Sequence, residues 1–253
     1  MKIETLSDGA KNYIEEGIGS GEFLPGQQLK EEEIARRLAI SRPPIREAFK
    51  LLEAQGLVVR RPRHGVFVSE ITEKDIWEVY TLKAVLYEMA IGLAIEKLTP
   101  SDIGRLDRLI DKMDKCVQKK PPEIPRYQKA HREFHSVILE ASNNRRLVDV
   151  ATTLHQQVRQ YSYKSLQNNE HLQSSLKYHR EIVLAIKERD AARARTLTRE
   201  HVLVGLHVLI DGFEFEVLES DCIPMWENPL KPETEQLLPD GSALSMCSED
   251  DRS

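Results

Sequence analysis

The sequence predicts a mainly α-helical protein with a small N-terminal unit and a larger C-terminal antiparallel bundle of six or seven helices. Its 253 residues exceed the usual size of one domain, so two domains are expected. Apolar residues recur at helical spacing along most of the chain. Only two short runs, residues 57–59 and 66–68, have the composition of paired strands.

The composition also indicates where the protein works. No stretch approaches the roughly 20 apolar residues that span a membrane, and the N-terminus lacks the apolar core of a signal peptide. Three scattered cysteines, Cys116, Cys222 and Cys247, are typical of a reducing compartment and not of a disulfide framework. We therefore expect a cytoplasmic protein that has no membrane partner.

The first 72 residues read as three short helices followed by a β-hairpin. The turn residues 21–26 separate the first helix from the second. Ser41 is a candidate N-cap of the third helix, and Pro43 and Pro44 are tolerated in its first turn. The predicted helices span 5–18, 30–38 and 41–56, and the predicted strands span 57–59 and 66–68.

This order of elements is typical of a winged helix-turn-helix, in which the second helix of the pair enters the major groove of DNA. Arg42 and Arg46 lie four residues apart and share a helical face, and arginine fits the major-groove edge of guanine. Ordinary surface arginines are the alternative interpretation. The candidate DNA-binding residues are Ser41, Arg42, Pro43, Pro44 and Arg46 on the helix, with Arg63, His64 and Gly65 in the wing.

The charge distribution favours DNA as the partner of this unit. The chain as a whole carries a net charge of −5. Residues 36–68, in contrast, contain eight basic residues against the two acidic residues Glu47 and Glu53. Such a local excess of positive charge is what a phosphate backbone attracts, although a solvated charged face would have the same composition.

After a polar joint at residues 72–74, the chain reads as long helices. Their predicted spans are 75–97, 100–119, 124–142, 145–167, 172–188 and 190–218. From residue 219 onward the chain is rich in proline and lacks apolar periodicity, so we expect a loosely ordered tail. The predicted domains are 1–72, 75–218 and the tail 219–253.

Four histidines in the second part occupy apolar helical stripes. His131 and His135 lie four residues apart on one predicted helix, and His179 and His201 lie on two later helices. If these helices converge in a bundle, the imidazoles could bind zinc, nickel or a similar divalent ion. Packing in the core is the alternative. We expect three further histidines to lie at the surface or to support the cluster: His155, His171 and His207.

The N-terminal motifs resemble the GntR family of bacterial regulators. They are residues 21–29 (GEFLPGQQL), 33–38 (EIARRL), 40–48 (ISRPPIREA), 52–57 (LEAQGL) and 63–68 (RHGVFV). The local departure is Pro43, where the family more often has threonine. The resemblance implies a homodimer that binds a pseudo-palindromic operator in double-stranded DNA and regulates transcription, and we expect it to be a repressor.

The second part resembles the FCD-type effector domain of the subfamily typified by the fatty-acid-responsive regulator. The matching segments are residues 134–144, 179–190 and 199–201. Many members bind a divalent metal through an aspartate and three histidines. Three of these positions correspond to His135, His179 and His201, and the aspartate position holds His131.

The resemblance implies a small-molecule effector, which we expect to be a carboxylate held near the metal. Lys83 stands where the subfamily often has arginine, and Arg159 is a second candidate for contact with the effector. Lysine cannot bind a carboxylate bidentately as arginine does. Exposed helix charges are an equally good interpretation of both residues.

Three other functions stay open at this point. A metal-dependent hydrolase is the first, but Glu133 is one residue too far from His131 for the zinc-protease helix motif. The second is a regulator of the same family that binds no metal. The third is a structural DNA-binding protein without an effector, although the size of the second domain disfavours it.

Overall fold

The computed structural model describes residues 5–210, which belong to one compact unit. The helices are α1 (Leu6–Ser20), α2 (Glu31–Leu38), α3 (Arg42–Ala54), α4 (Glu73–Ala94), α5 (Pro100–Val117), α6 (Ile124–Ala141), α7 (Arg145–Gln157), α8 (Arg159–Leu166), α9 (Asn169–Lys187) and α10 (Ala191–Ile210). The strands are β1 (Gln28–Leu29), β2 (Val58–Arg61) and β3 (Gly65–Val68).

The N-terminal part folds as a three-helix unit with a small antiparallel sheet, as the sequence predicts. The predicted hairpin is present as β2 and β3, with Val58 opposite Val68. A third strand, β1, pairs with the free edge of β3 and places Gln28 opposite Phe67. This strand was missed because two residues are too few to show an alternating pattern. Helices and sheet enclose a separate apolar core centred on Ile45 and Phe49.

The C-terminal part is a bundle that contains seven helices within the described residues. Helices α4 and α5 each begin with a capping box, in which a threonine and an aspartate three residues later bond each other's backbone N–H. Thr72 and Asp75 start α4, and Thr99 and Asp102 start α5. The bundle has its own core, which includes residues of α4, α5, α6 and α9.

The structure corrects one predicted helix. Residues 145–167 form two helices, α7 and α8, because Val158 leaves the helical conformation with φ −102° and ψ 10°. Val158 is fully buried, so packing accounts for a break that no glycine or proline signals.

Two predictions reach beyond the described chain. The last predicted helix is present to Ile210, and its remaining part lies outside the described residues. The predicted tail 219–253 also lies outside them. None of the helices between residues 5 and 210 is long and apolar enough to cross a membrane.

Candidate functional site

The third helix of the N-terminal part presents its first turn to solvent. Ser41 occupies the N-cap position, but within the described chain its hydroxyl makes no capping bond. Ser41, Arg42, Pro43 and Arg46 are exposed, and Pro44 is half-buried. The opposite face of α3 packs into the core, so the sequence-predicted contact residues lie together on the free side of the helix.

Both arginines of this turn are bound by carboxylates of α2. The Arg42 guanidinium donates to Glu31 Oε2 at 3.1 Å and to Glu32 Oε1 at 2.9 Å. Arg46 Nε donates to the same Glu31 oxygen at 2.9 Å. Partial burial raises the pKa of the Glu31 carboxyl, but the hydrogen bonds from Arg46 and Arg42 outweigh it, so the pKa lies below its ordinary value. These acidic neighbours were not recognised in the sequence.

The tip of the hairpin carries the predicted wing residues. Arg63, His64 and Gly65 are all exposed. Arg63 has a φ of 63° and Gly65 a φ of 102°, both in the left-handed region that a tight turn requires. Gln28 Nε2 donates to the His64 carbonyl at 2.6 Å, so strand β1 holds the tip in place.

In the bundle, the four sequence-predicted histidines meet in one cluster. His131 and His135 project from α6, His179 from α9 and His201 from α10. His201 Nε2 lies 3.2 Å from His131 Nε2 and 3.3 Å from His135 Nε2, and His179 Nε2 lies 3.4 Å from His135 Nε2. One ligand atom from each of the four residues lies within 4.8 Å of all the others.

Burial keeps these imidazoles neutral. It lowers the pKa of His131, His135 and His201 well below the ordinary value, and the neighbouring histidines lower it further. Burial also lowers the pKa of His179 to about 4. Neutral imidazole is the form that binds a metal ion.

The donor set fits a metal ion. Zinc–nitrogen bonds of about 2.0–2.1 Å place tetrahedral ligand atoms about 3.3–3.4 Å apart, close to the three short separations observed here. His179 Nδ1 donates to the Ser175 carbonyl at 2.5 Å, so its Nε2 presents a lone pair to the cluster. The roles of the other Nε2 atoms depend on their tautomers: either N–H···N hydrogen bonds link the rings, or the lone pairs converge and bind a cation. The cluster could therefore hold a metal.

Buried polar side chains lie beside the cluster. A cavity of about 40 Å³ beside it is lined by Lys83, His155 and His171 among others. All three are buried, so of the two positions expected for His155 and His171 the surface is wrong and the supporting place beside the cluster is the one observed. His207 is half-buried. The sequence signal was weak because single histidines on helices are usually unrelated to a site.

Neither effector candidate is an exposed helix charge. The Lys83 ammonium lies 4.6 Å from the centre of the Tyr80 ring and 5.7 Å from that of Tyr87, and burial lowers its pKa to about 7. The Arg159 side chain is only 11% exposed and bonds Glu16 of α1 at 2.5 Å. The structure does not bring Arg159 to the 40 Å³ cavity, which Lys83 lines.

The N-terminal part has an exposed helix beside a wing, and the helical domain that follows contains a buried histidine cluster. This combination is typical of DNA-binding regulators that carry a sensing domain. Comparison with known proteins supports this class. Residues 6–68 match the family described as "Bacterial regulatory proteins, gntR family", and residues 78–203 match the FCD domain. The protein belongs to the GntR family of transcriptional regulators and carries an FCD domain.

Curated relatives cover most of the chain. The HTH-type transcriptional regulator YdhC of Bacillus subtilis is 26% identical over 211 residues, covering 80% of this chain and 92% of the relative. The HTH-type transcriptional repressor GlaR of Escherichia coli is 24% identical over 216 residues, covering 83% of this chain and 97% of the relative. Because the families and relatives are transcriptional regulators, the hydrolase alternative is excluded.

Solved structures share the fold. The Escherichia coli protein McbR/YncC superimposes with a TM-score of 0.75 at 21% identity, covering 83% of this chain and 99% of the other. A GntR transcriptional regulator from a Rhodococcus species gives a TM-score of 0.69 at 22% identity, with 82% and 99% coverage. The mainly helical fold with an N-terminal winged domain is thereby confirmed.

Proposed function

We propose that this protein is an effector-responsive repressor whose sensing pocket binds a divalent metal and a small carboxylate. The observation that carries the proposal is the cluster of four neutral imidazoles, in which three Nε2 separations of 3.2–3.4 Å are close to those of a tetrahedral metal site and all four ligand atoms lie within 4.8 Å of one another. Burying four imidazoles side by side costs free energy unless their nitrogens are hydrogen-bonded or bind a metal ion. The GntR and FCD matches supply the regulatory context.

In this proposal, His131, His135, His179 and His201 hold the metal, and zinc or nickel suits the all-nitrogen set. A bound divalent ion supplies positive charge that attracts a carboxylate. Four neutral imidazoles leave that charge uncompensated, which favours an anionic effector more than a site with an aspartate ligand would. Lys83, which lines the same cavity, adds a further positive charge when it is protonated.

At the DNA, Arg42 and Arg46 contact base edges in the major groove, and Ser41 with the first-turn prolines approaches the backbone. Arg63, His64 and Gly65 contact phosphates or the minor groove from the wing. Support comes from the exposure of these residues on one turn and one hairpin tip. DNA phosphates and bases then replace Glu31 and Glu32 as partners of the two arginines.

We further propose that the protein binds a pseudo-palindromic operator as a homodimer. A stripe of exposed apolar side chains on α4 supports a second copy as the partner. It consists of Trp77, Leu82, Val85 and Met89, whose exposed fractions are 43–58%. Several exposed apolar side chains on one helix are typical of a protein–protein interface.

The effector changes operator affinity only if it binds two arrangements of the dimer unequally. We propose that the effector favours the arrangement whose recognition helices fit the operator poorly. Binding of the effector then relieves repression.

Metal content tests the sensing half of this proposal. Elemental analysis of the purified, tag-free protein is expected to find near one divalent ion per chain. His135→Ala and His179→Ala are expected to lose it, whereas the matched variant His207→Ala, on α10 outside the cluster, retains it. No bound metal after incubation with zinc, nickel and manganese would return the four histidines to core packing and leave the DNA-binding assignment in place.

A further inference from the structure

The cavity beside the histidine cluster is too small for most effectors. Its volume of about 40 Å³ accommodates a few water molecules, whereas small-molecule sites usually occupy about 300–1,000 Å³. A second cavity of about 290 Å³ adjoins it, and Tyr87, His135 and His155 line both. An effector that reaches the histidines therefore has room in the second cavity for the rest of its structure.

Two arginines and one glutamate that pair with one another line this second cavity. Glu16 Oε2 accepts from Arg159 Nη2 at 2.5 Å, and Glu16 Oε1 accepts from Arg132 Nη1 at 3.3 Å. Each oxygen of one carboxylate is thus held by a different arginine. The pair of guanidinium groups is already shaped to bind a carboxylate, and a glutamate of the DNA-binding part occupies that position.

Unequal burial makes Glu16 replaceable. The Glu16 side chain is 59% exposed, whereas that of Arg159 is 11% exposed. Arg159 Nε is buried without a hydrogen-bond partner among residues 5–210. Because an exposed carboxylate regains water when it leaves and a buried guanidinium does not, a ligand carboxylate can take its place at little cost.

The same arginine lies where the two parts of the protein meet. Around the break between α7 and α8, Gln157 Nε2 donates to the Gln55 carbonyl at 2.8 Å and Tyr161 Oη donates to the Ile71 carbonyl at 3.3 Å. Gly19 of α1 leaves space for Arg159, since a Cβ there would lie 2.4 Å from Arg159 Cδ. Because Arg159 packs directly against α1, a movement of Arg159 displaces the first helix of the DNA-binding part.

We propose that the cavity bounded by Arg132, Arg159 and Glu16 is an anion-binding subsite that takes the second acidic group of a dicarboxylate effector. The incoming carboxylate displaces Glu16 from both arginines and so breaks two ion pairs between α1 and the sensing domain, which leaves the bond from Arg159 Nη1 to the Glu15 carbonyl at 3.4 Å. The inference rests on the proposed sensing function, since the first carboxylate reaches the histidine cluster. It adds the ligand class and the step that transmits binding to the DNA-binding part.

The other charges around the cavity are compatible with an anion once Glu16 has moved. The Glu15 carboxylate is paired with Lys11 of its own helix. Glu133 also lines the cavity, so one carboxylate faces the ligand against the two arginines. Once Glu16 has moved, the protein groups therefore present a net positive charge to the incoming carboxylate.

Succinate, with butyrate as the matched monocarboxylate, tests the subsite by calorimetry on the full-length protein. Glu16→Gln removes the competing charge and is expected to tighten succinate binding by about fivefold, consistent with the weak coupling of an exposed ion pair. Arg132→Gln and Arg159→Gln are expected to weaken it at least about tenfold. The control Glu188→Gln, which removes an exposed partner of Arg193 far along the chain, is expected to leave binding unchanged.

Hydrogen exchange supplies the readout of transmission. Succinate is expected to speed amide exchange in α1 of the wild type, and Glu16→Gln is expected to show the faster exchange without ligand. Equal succinate affinity in wild type and Glu16→Gln, or no binding to Glu16→Gln, would overturn the proposal. Repeating the titration on His179→Ala, with and without Glu16→Gln, separates the two hypotheses. His179 belongs to the histidine cluster but does not line the second cavity, so loss of metal alone leaves the effect of Glu16→Gln intact.

Discussion

At the residue scale, the two arginines of the recognition helix are held ready by an acidic partner. Glu31 accepts from both Arg42 and Arg46, yet it is itself only 22% exposed. The ion pairs restrict rotamers of two long side chains that would otherwise lose entropy on binding DNA. In the proposed complex DNA replaces this carboxylate, and ion pairs made by exposed arginines are worth only about 0–1 kcal/mol.

Replacing Arg46 with alanine tests whether this residue reads a base. We expect Arg46→Ala to weaken operator binding by roughly 1–3 kcal/mol and to relax the sequence preference at one position of each half-site. Fluorescence anisotropy with duplexes selected from a random pool measures both effects. Arg145→Ala, on α7 and 94% exposed, is the control. An operator affinity unchanged by Arg46→Ala would remove Arg46 from the base-reading residues.

At the element scale, helix α4 has two different faces. One face buries Tyr80, Lys83 and Tyr87 against the sensing cavity. The other presents the apolar stripe that contains Leu82 and Val85. One helix thus borders the cavity proposed for the effector and carries the surface proposed for a second copy, so we expect a shift of α4 to alter the spacing of two DNA-binding parts.

Charge placed on this stripe is expected to separate the dimer. Val85 is 58% exposed, so Val85→Glu should leave the fold intact while it buries an unpaired carboxylate in the proposed interface. Light scattering after size-exclusion chromatography should show a monomer at micromolar concentration. The comparison variant is Leu184→Glu on α9, at a residue 42% exposed outside the stripe. A Val85→Glu protein that stays dimeric would place the interface elsewhere.

At the scale of the whole molecule, buried histidines link stability to pH. Burial lowers the pKa of His171 and His179 to about 4. In the unfolded chain these imidazoles therefore bind protons near pH 6.5, whereas in the folded chain they stay neutral until the pH approaches 4. Stability is fully present above pH 6.5 and is lost as the pH falls toward 4, because protonation favours the unfolded state.

Between these pH values, each such histidine is expected to lower the free energy of unfolding by about 1.4 kcal/mol for each pH unit of acidification. Urea unfolding of chelator-treated protein at pH 7.5, 6.0 and 5.0 measures the slope. His171→Gln removes one buried imidazole that is not in the cluster of four, and should reduce the slope by about that amount. The same slope in both proteins would show that His171 does not keep its low pKa in solution.

Much of this protein follows from local sequence. Helical spacing, the turn at residues 21–26 and the first-turn prolines predict α1 to α3, because these signals act within a few residues. The four histidines were also predicted as a group, since i, i+4 spacing puts His131 and His135 on one face and a bundle brings other helices to it.

Only the tertiary structure decided the rest. The break at Val158 and the short strand β1 depend on packing partners distant in sequence. Burial of Lys83, His155 and Arg159 likewise depends on which helices cover them. The contact of Glu16 with Arg132 and Arg159 spans more than a hundred residues. Local sequence patterns do not predict such distant pairs, because the contact energy of each pair arises only when the whole chain has folded.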